Sequence, residues 1–92
     1  MTNKYIVLRI TEDDDNYMVI TTADGPWDSL ERAKLEMRMS ALLEQKMWNG
    51  EDDINDYFNE DQTSWGPVQK DPRRTRYVIA QLDPGLRVRV LA

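Results

Sequence analysis

Two segments at the start of the chain, residues 4–11 and 17–22, are mostly apolar and have the composition of strands. Both are rich in β-branched and aromatic residues and are separated by a polar run, which predicts an antiparallel hairpin. One face of the first strand is aliphatic, and the opposite face carries Arg9. We therefore expect the aliphatic face in the core and Arg9 outside. The aliphatic residues are Ile6, Leu8 and Ile10.

A long helix is predicted over residues 29–49, because no Gly or Pro interrupts this stretch. Asp28 and Glu31, three residues apart, are typical of a capping box. At about 100° per residue, the apolar side chains fall on two opposite sides of this helix. One side holds Leu30, Ala33, Met37, Ala41 and Trp48, and the other holds Leu35, Met39, Leu42 and Leu43. Since one sheet covers only one side, the second should meet the C-terminal half, a second protomer or a different protein.

The stretch at residues 51–61, here called the acidic segment, contains six Asp and Glu residues. Its apolar residues Ile54, Tyr57 and Phe58 have helical spacing, which allows a short second helix capped by an aspartate. Residues 62–72 follow with several turn-forming residues and are predicted to be an irregular connection.

A second hairpin is predicted from residues 76–82 and 86–91, which flank Asp83-Pro84-Gly85. This tripeptide suits a three-residue loop with Gly in the left-handed conformation. The matching register pairs Leu82 with Leu86, Ala80 with Val88, and Val78 with Val90. It keeps the apolar pairs on one face. The outer face would then carry Tyr77, Ile79, Gln81, Arg87 and Arg89.

The element order β-β-α-β-β predicts an α+β fold in a single domain over residues 1–92. We expect a four-stranded antiparallel sheet, with the long helix packed on one face and the short second helix beside it.

The composition excludes several kinds of chemistry. The chain of 92 residues contains no His and no Cys, so it forms no disulfide, thiol nucleophile, imidazole base or Ser-His-Asp triad of its own. The runs of Asp lack the Gly and the final Glu of a calcium loop. We therefore expect no catalytic residues, no metal site and no cofactor.

The charge is strongly segregated along the chain. The net charge is −5, yet residues 62–92 hold six Arg and Lys against two Asp. A charge layout of this kind orients and accelerates association with a partner of opposite charge. We therefore expect a small non-catalytic interaction protein that binds and modulates a larger partner. The expected effect is inhibition through a basic or nucleic-acid-binding surface of that partner, as in compact inhibitors such as those of phages. The candidate contact residues are Asp52, Asp53, Asp56, Tyr57, Glu60 and Trp65.

Two other hypotheses remain open at this point. The second apolar side of the helix, with Leu35, Met39 and Leu42, could form a structural homodimer. A nucleic-acid-binding sheet face could be built from Arg9, Tyr77, Arg87 and Arg89, although a pI near 4.6 opposes this hypothesis.

The N-terminal region has no long apolar stretch. Its longest uncharged apolar run, residues 5–8, is too short for a signal peptide or a membrane span. The expected location is therefore the cytoplasm, without a membrane partner.

Overall fold

The computed structural model describes residues 3–48, 50–85 and 87–91. The described residues form one long helix, five strands and a short 3-10 helix, so the fold is α+β as predicted. In chain order the elements are β1 (Lys4–Glu12), β2 (Met18–Trp27), α1 (Leu30–Trp48), the 3-10 helix (Ile54–Tyr57), β3 (Ser64–Trp65), β4 (Arg76–Leu82) and β5 (Val88–Val90).

The sheet is antiparallel and has the strand order β2-β1-β4-β3, with β5 also paired to β4. The long β2 therefore forms one edge, and the short β3 and β5 share the other. Helix α1 packs on one face, where Val7 and Ile79 of the two central strands meet Ala33, Met37 and Ala41 of the helix. This two-layer packing forms the hydrophobic core.

The two faces of β1 are reversed relative to the prediction. Val7 lies opposite Ile79 and Arg9 lies opposite Tyr77, so Arg9 shares the face that α1 covers. The aliphatic residues Ile6, Leu8 and Ile10 lie on the other face of the sheet. The prediction was wrong because it treated Arg9 as a marker of the outer face.

The inner side of α1 is confirmed: Ala33, Met37 and Ala41 are buried, and Leu30 and Trp48 pack against the same core. The helix starts differently from the prediction. The Ser29 hydroxyl accepts a hydrogen bond from the Arg32 amide at 3.1 Å, so Ser29 is the N-cap. The carboxylate of Asp28 pairs instead with Lys4 of β1. The predicted capping box is therefore absent.

Strand β2 continues five residues beyond its predicted end at Thr22. Two irregularities in its pairing with β1 make this extension possible, and one of them contains Gly25 and Pro26. Gly25 has a φ of 129°, and a Cβ there would come within 2.9 Å of the Tyr5 carbonyl oxygen. A glycine is required at this position because L side chains rarely adopt such a φ.

The C-terminal hairpin is confirmed, but its register differs by two residues and its two faces are reversed. Tyr77 and Ile79, predicted on the outer face, are buried in the core under α1. Ala80 lies opposite Val90 and Leu82 lies opposite Val88. The loop closes through a hydrogen bond from the Asp83 amide to the Arg87 carbonyl at 3.0 Å, and it is longer than the predicted three residues. The φ of Gly85 is not in the left-handed region. The predicted pairing of Leu82 with Leu86 lies outside the described residues.

Candidate interaction surfaces

The acidic segment lies alongside α1. Gln45 on the helix donates a hydrogen bond from Nε2 to the carbonyl oxygen of Asp52. Arg38 donates from Nη1 to Asn55 Oδ1 at 3.1 Å, and its guanidinium carbon lies 5.5 Å from the centroid of the Phe58 ring. These contacts hold the acidic segment against α1.

The predicted short helix in this segment is a 3-10 helix of four residues. Asp53 is its N-cap and accepts a hydrogen bond from the Asn55 amide at 2.9 Å. Asp52 accepts a hydrogen bond from the Tyr57 hydroxyl at 2.5 Å, and this bond raises the pKa of the Tyr57 phenol. Asp52, Asp53 and Tyr57 therefore shape the segment itself, whatever else they contact.

The remaining acidic candidates, Asp56 and Glu60, point to solvent together with their neighbour Asp61. Within the described part of the chain, no Lys or Arg forms an ion pair with any of these three carboxylates. Their negative charge is therefore available to a partner.

The second apolar side of α1 is exposed to solvent. The solvent-exposed fraction is 51% for Leu35 and 55% for Met39. We call this surface the outer stripe; its members are Leu35, Met39, Leu42, Leu43 and Met47. A shallow groove of about 230 Å³ joins it to the acidic segment, with Leu42 on one wall and Asp52 and Asp53 on the other.

Trp65 is not part of this surface. Its side chain is fully buried in the core, and its indole nitrogen donates a hydrogen bond to the Ile54 carbonyl oxygen at 3.3 Å. Its ring packs between those of Tyr57 and Tyr77, with centroid distances of 6.1 and 5.9 Å. The inclusion of Trp65 among the contact residues was wrong, because the connection that carries it forms strand β3 beside β4.

Arg9 is the most unexpected residue of the covered face. Its Nε and Nη2 donate to the same oxygen of Glu44 on α1, at 2.9 and 2.7 Å, and its Nη1 donates to the Thr21 hydroxyl at 2.9 Å. Burial acts to lower the pKa of Arg9, but the hydrogen bond and the charge of Glu44 outweigh burial and raise that pKa. Burial, reinforced by the charge of Glu44, raises the pKa of Tyr77.

This arrangement contradicts the hypothesis of a nucleic-acid-binding sheet face. Arg9 and Tyr77 lie on the covered side of the sheet, and Arg9 is engaged by Glu44. Arg87 and Arg89 are exposed at the far end of the sheet, where Arg89 donates to Gln81 at 3.2 Å. The four residues therefore do not form one open surface.

The opposite face of the sheet carries no helix and is largely aliphatic. We call it the open sheet face; its apolar members include Ile6, Leu8, Ile10, Met18, Ile20, Leu82, Val88 and Val90. Ile20 is 59% exposed and Val88 is 62% exposed. The sequence analysis missed this surface because it placed the aliphatic face of β1 in the core.

Among the described residues, no group of three or more acidic side chains is arranged to hold a metal ion. In that same part of the chain, no helix combines the length and the apolar composition that crossing a bilayer requires. Comparisons with protein-family models, with curated proteins and with solved structures find no match.

Proposed function

We propose that this chain is a non-catalytic interaction module that binds and modulates a larger protein through the outer stripe of α1 and the acidic segment beside it. The observation that carries the proposal is the adjacency of an exposed apolar row and the acidic segment, with Leu42 across a groove from Asp52 and Asp53. Protein interfaces commonly combine an apolar centre with a charged rim.

The partner should present an apolar patch next to basic side chains. The outer stripe supplies apolar area, because Leu and Met side chains more than two-fifths exposed lose contact with water when a partner covers them. Met39 and Met47 also suit a contact surface that adapts its packing. Asp56, Glu60 and Asp61 at the edge would attract the basic side chains and accelerate association.

The proposal assigns a modulating role, with inhibition expected when the bound surface is one that the partner uses for nucleic acid. A protein of this size acts by covering a surface, since it contains neither a His nor a Cys for the commonest kinds of catalysis.

Affinity capture from the native host with charge-matched variants tests this proposal. The first variant, Asp56→Asn with Glu60→Gln, removes two unpaired charges from the acidic segment. The control, Asp14→Asn with Asp15→Asn, removes two exposed charges from the β1–β2 turn. We expect the wild type and the control to retain the same protein, and the first variant to retain less of it.

Once that protein is identified, stopped-flow kinetics should show slower association and a flatter salt dependence for the Asp56/Glu60 variant than for the control. Replacing Leu42 with Glu should weaken binding through faster dissociation, because it places a charge in the apolar row. Equal losses in both charge variants would indicate a general charge effect and contradict the proposal. So would a Leu42→Glu variant that binds as well as the wild type.

A further inference from the structure

We propose that two copies of this chain associate through their open sheet faces, so that the two sheets stack with their helices on the outside. This inference concerns a different layer of the molecule from the proposed partner surface and does not depend on it.

The side chains of the open sheet face are suited to packing against a second sheet. Stacked sheets are held together by interdigitated aliphatic side chains from their inner faces. The charged residues on this side lie at the strand ends and are already paired: Lys4 with Asp28, and Arg76 with Glu12 at 3.4 Å. A second copy would therefore cover aliphatic surface without burying an unpaired charge.

The size of the face also suits a second copy. Its exposed apolar side chains, Met18 and Ile20 on β2 and Val88 and Val90 on β5, lie at opposite edges of the sheet, with the buried Val78 and Ala80 of β4 between them. A contact that reaches from edge to edge is of the kind that buries the roughly 800 Å² per partner of a standard protein interface. The outer stripe of α1 is a single row of side chains on one helix and offers a narrower contact.

Charge distinguishes the two possible modes of self-association. Asp52 and Asp53 of the acidic segment lie across a groove from Leu42 of the outer stripe, so pairing two copies through α1 would bring two acidic segments together. Like charges within about 8 Å repel one another at physiological ionic strength. Pairing through the open sheet face keeps the acidic segments on opposite outer sides, and leaves both outer stripes accessible to partners.

Sedimentation equilibrium over a wide concentration range tests this inference. The wild type should have about twice the chain mass of 10.8 kDa. The double variant Ile20→Lys with Val88→Lys should dissociate at least about a hundredfold more readily, because the dimer would bury lysines without partners. Both residues are more than half exposed in the single chain, so the variant monomer should keep the wild-type circular dichroism spectrum.

Two controls locate the contact. Val19→Lys alters the neighbouring residue on the other face of β2, and Leu42→Glu alters the outer stripe; both variants should remain dimeric. If the lysine double variant does not fold, Ile20→Thr with Val88→Thr removes apolar area without adding charge and should still weaken the dimer. A wild-type protein that is monomeric throughout would overturn the inference. Dimers lost in Leu42→Glu but retained in the double variants would also overturn it, since they would place the contact on α1.

Discussion

The two faces of the sheet differ in a way that reverses the usual arrangement of charge and apolar surface. The face under α1 contains polar and charged residues, among them Arg9, Tyr77 and Gln81, together with its aliphatic residues, whereas the open sheet face is largely aliphatic. Arg9 is accommodated on the covered face because Glu44 on α1 lies against it. A charged side chain therefore identifies the outer face of a strand only when the helix or strand that packs on the other face carries no residue of opposite charge to pair with it.

The largest expected effect comes from applying the same substitution to both faces. Ile79→Ala on the covered face should lower the free energy of unfolding by about 2–5 kcal/mol, because it leaves a cavity in the core. Ile20→Ala on the open face should cost less than about 1 kcal/mol in the monomer, since Ile20 is already largely exposed. Urea unfolding at low protein concentration measures both. Similar losses for the two variants would contradict our assignment of the faces.

The ion pair beneath α1 provides the next test. Glu44→Gln should destabilise the protein by about 3 kcal/mol, because it leaves the Arg9 guanidinium partly buried without a counter-charge. Glu36→Gln is the matched control: its partner Arg32 is more than half exposed, and such pairs contribute less than about 1 kcal/mol.

Replacing both partners, Arg9→Met with Glu44→Leu, should restore most of the stability that Glu44→Gln removes, because an apolar pair carries no desolvation cost. Thermal unfolding of the four proteins measures the series. If the double replacement is less stable than Glu44→Gln, the pair contributes net stability and the covered face depends on its charges.

Some parts of the fold were predictable because local pattern and tertiary environment agree. The two sides of α1 follow from helical periodicity, and the structure buries one side and exposes the other. The grouping of side chains into the two faces of the C-terminal hairpin also survives its change of register, although the face predicted to be outer, with Tyr77 and Ile79, is the one that α1 covers. A shift of two residues keeps each side chain on the same side of the sheet, while a shift of one would not.

The faces of β1 were not predictable from β1 alone, because the decisive residue lies on another element. Glu44 lies between Ala41 and Trp48 on the inner side of α1. A carboxylate buried at that position requires a positively charged partner from the sheet. This was the one available signal for an inward Arg9. No comparable signal existed for Trp65, whose burial depends on a two-residue strand within a stretch rich in turn-forming residues.

The smallest expected effect concerns the tyrosine of the covered face. Burial and the nearby charge of Glu44 raise the pKa of Tyr77, so the folded protein holds this phenol proton to higher pH than the unfolded chain does. The raised pKa contributes to the free energy of unfolding. This contribution is fully present below about pH 10, where a tyrosine in the unfolded chain ionises, and is lost as the pH rises through the higher pKa of the folded state. Spectrophotometric titration should therefore show a late-ionising tyrosine that is missing in Tyr77→Phe.

The matching measurement is the urea midpoint of both proteins across the same alkaline range. The wild type should lose stability more steeply than Tyr77→Phe, because only the wild type releases this proton on unfolding. Tyr57→Phe is the control: the hydrogen bond to Asp52 also raises the pKa of Tyr57, but that phenol is only partly buried beside the acidic segment. Added salt should shift the pKa of the tyrosine that is missing in Tyr57→Phe more than the pKa of the tyrosine that is missing in Tyr77→Phe, because buried charges are screened less. Equal sensitivity to salt would mean that Tyr77 is not shielded by α1, and would contradict the distinction between the covered and open faces.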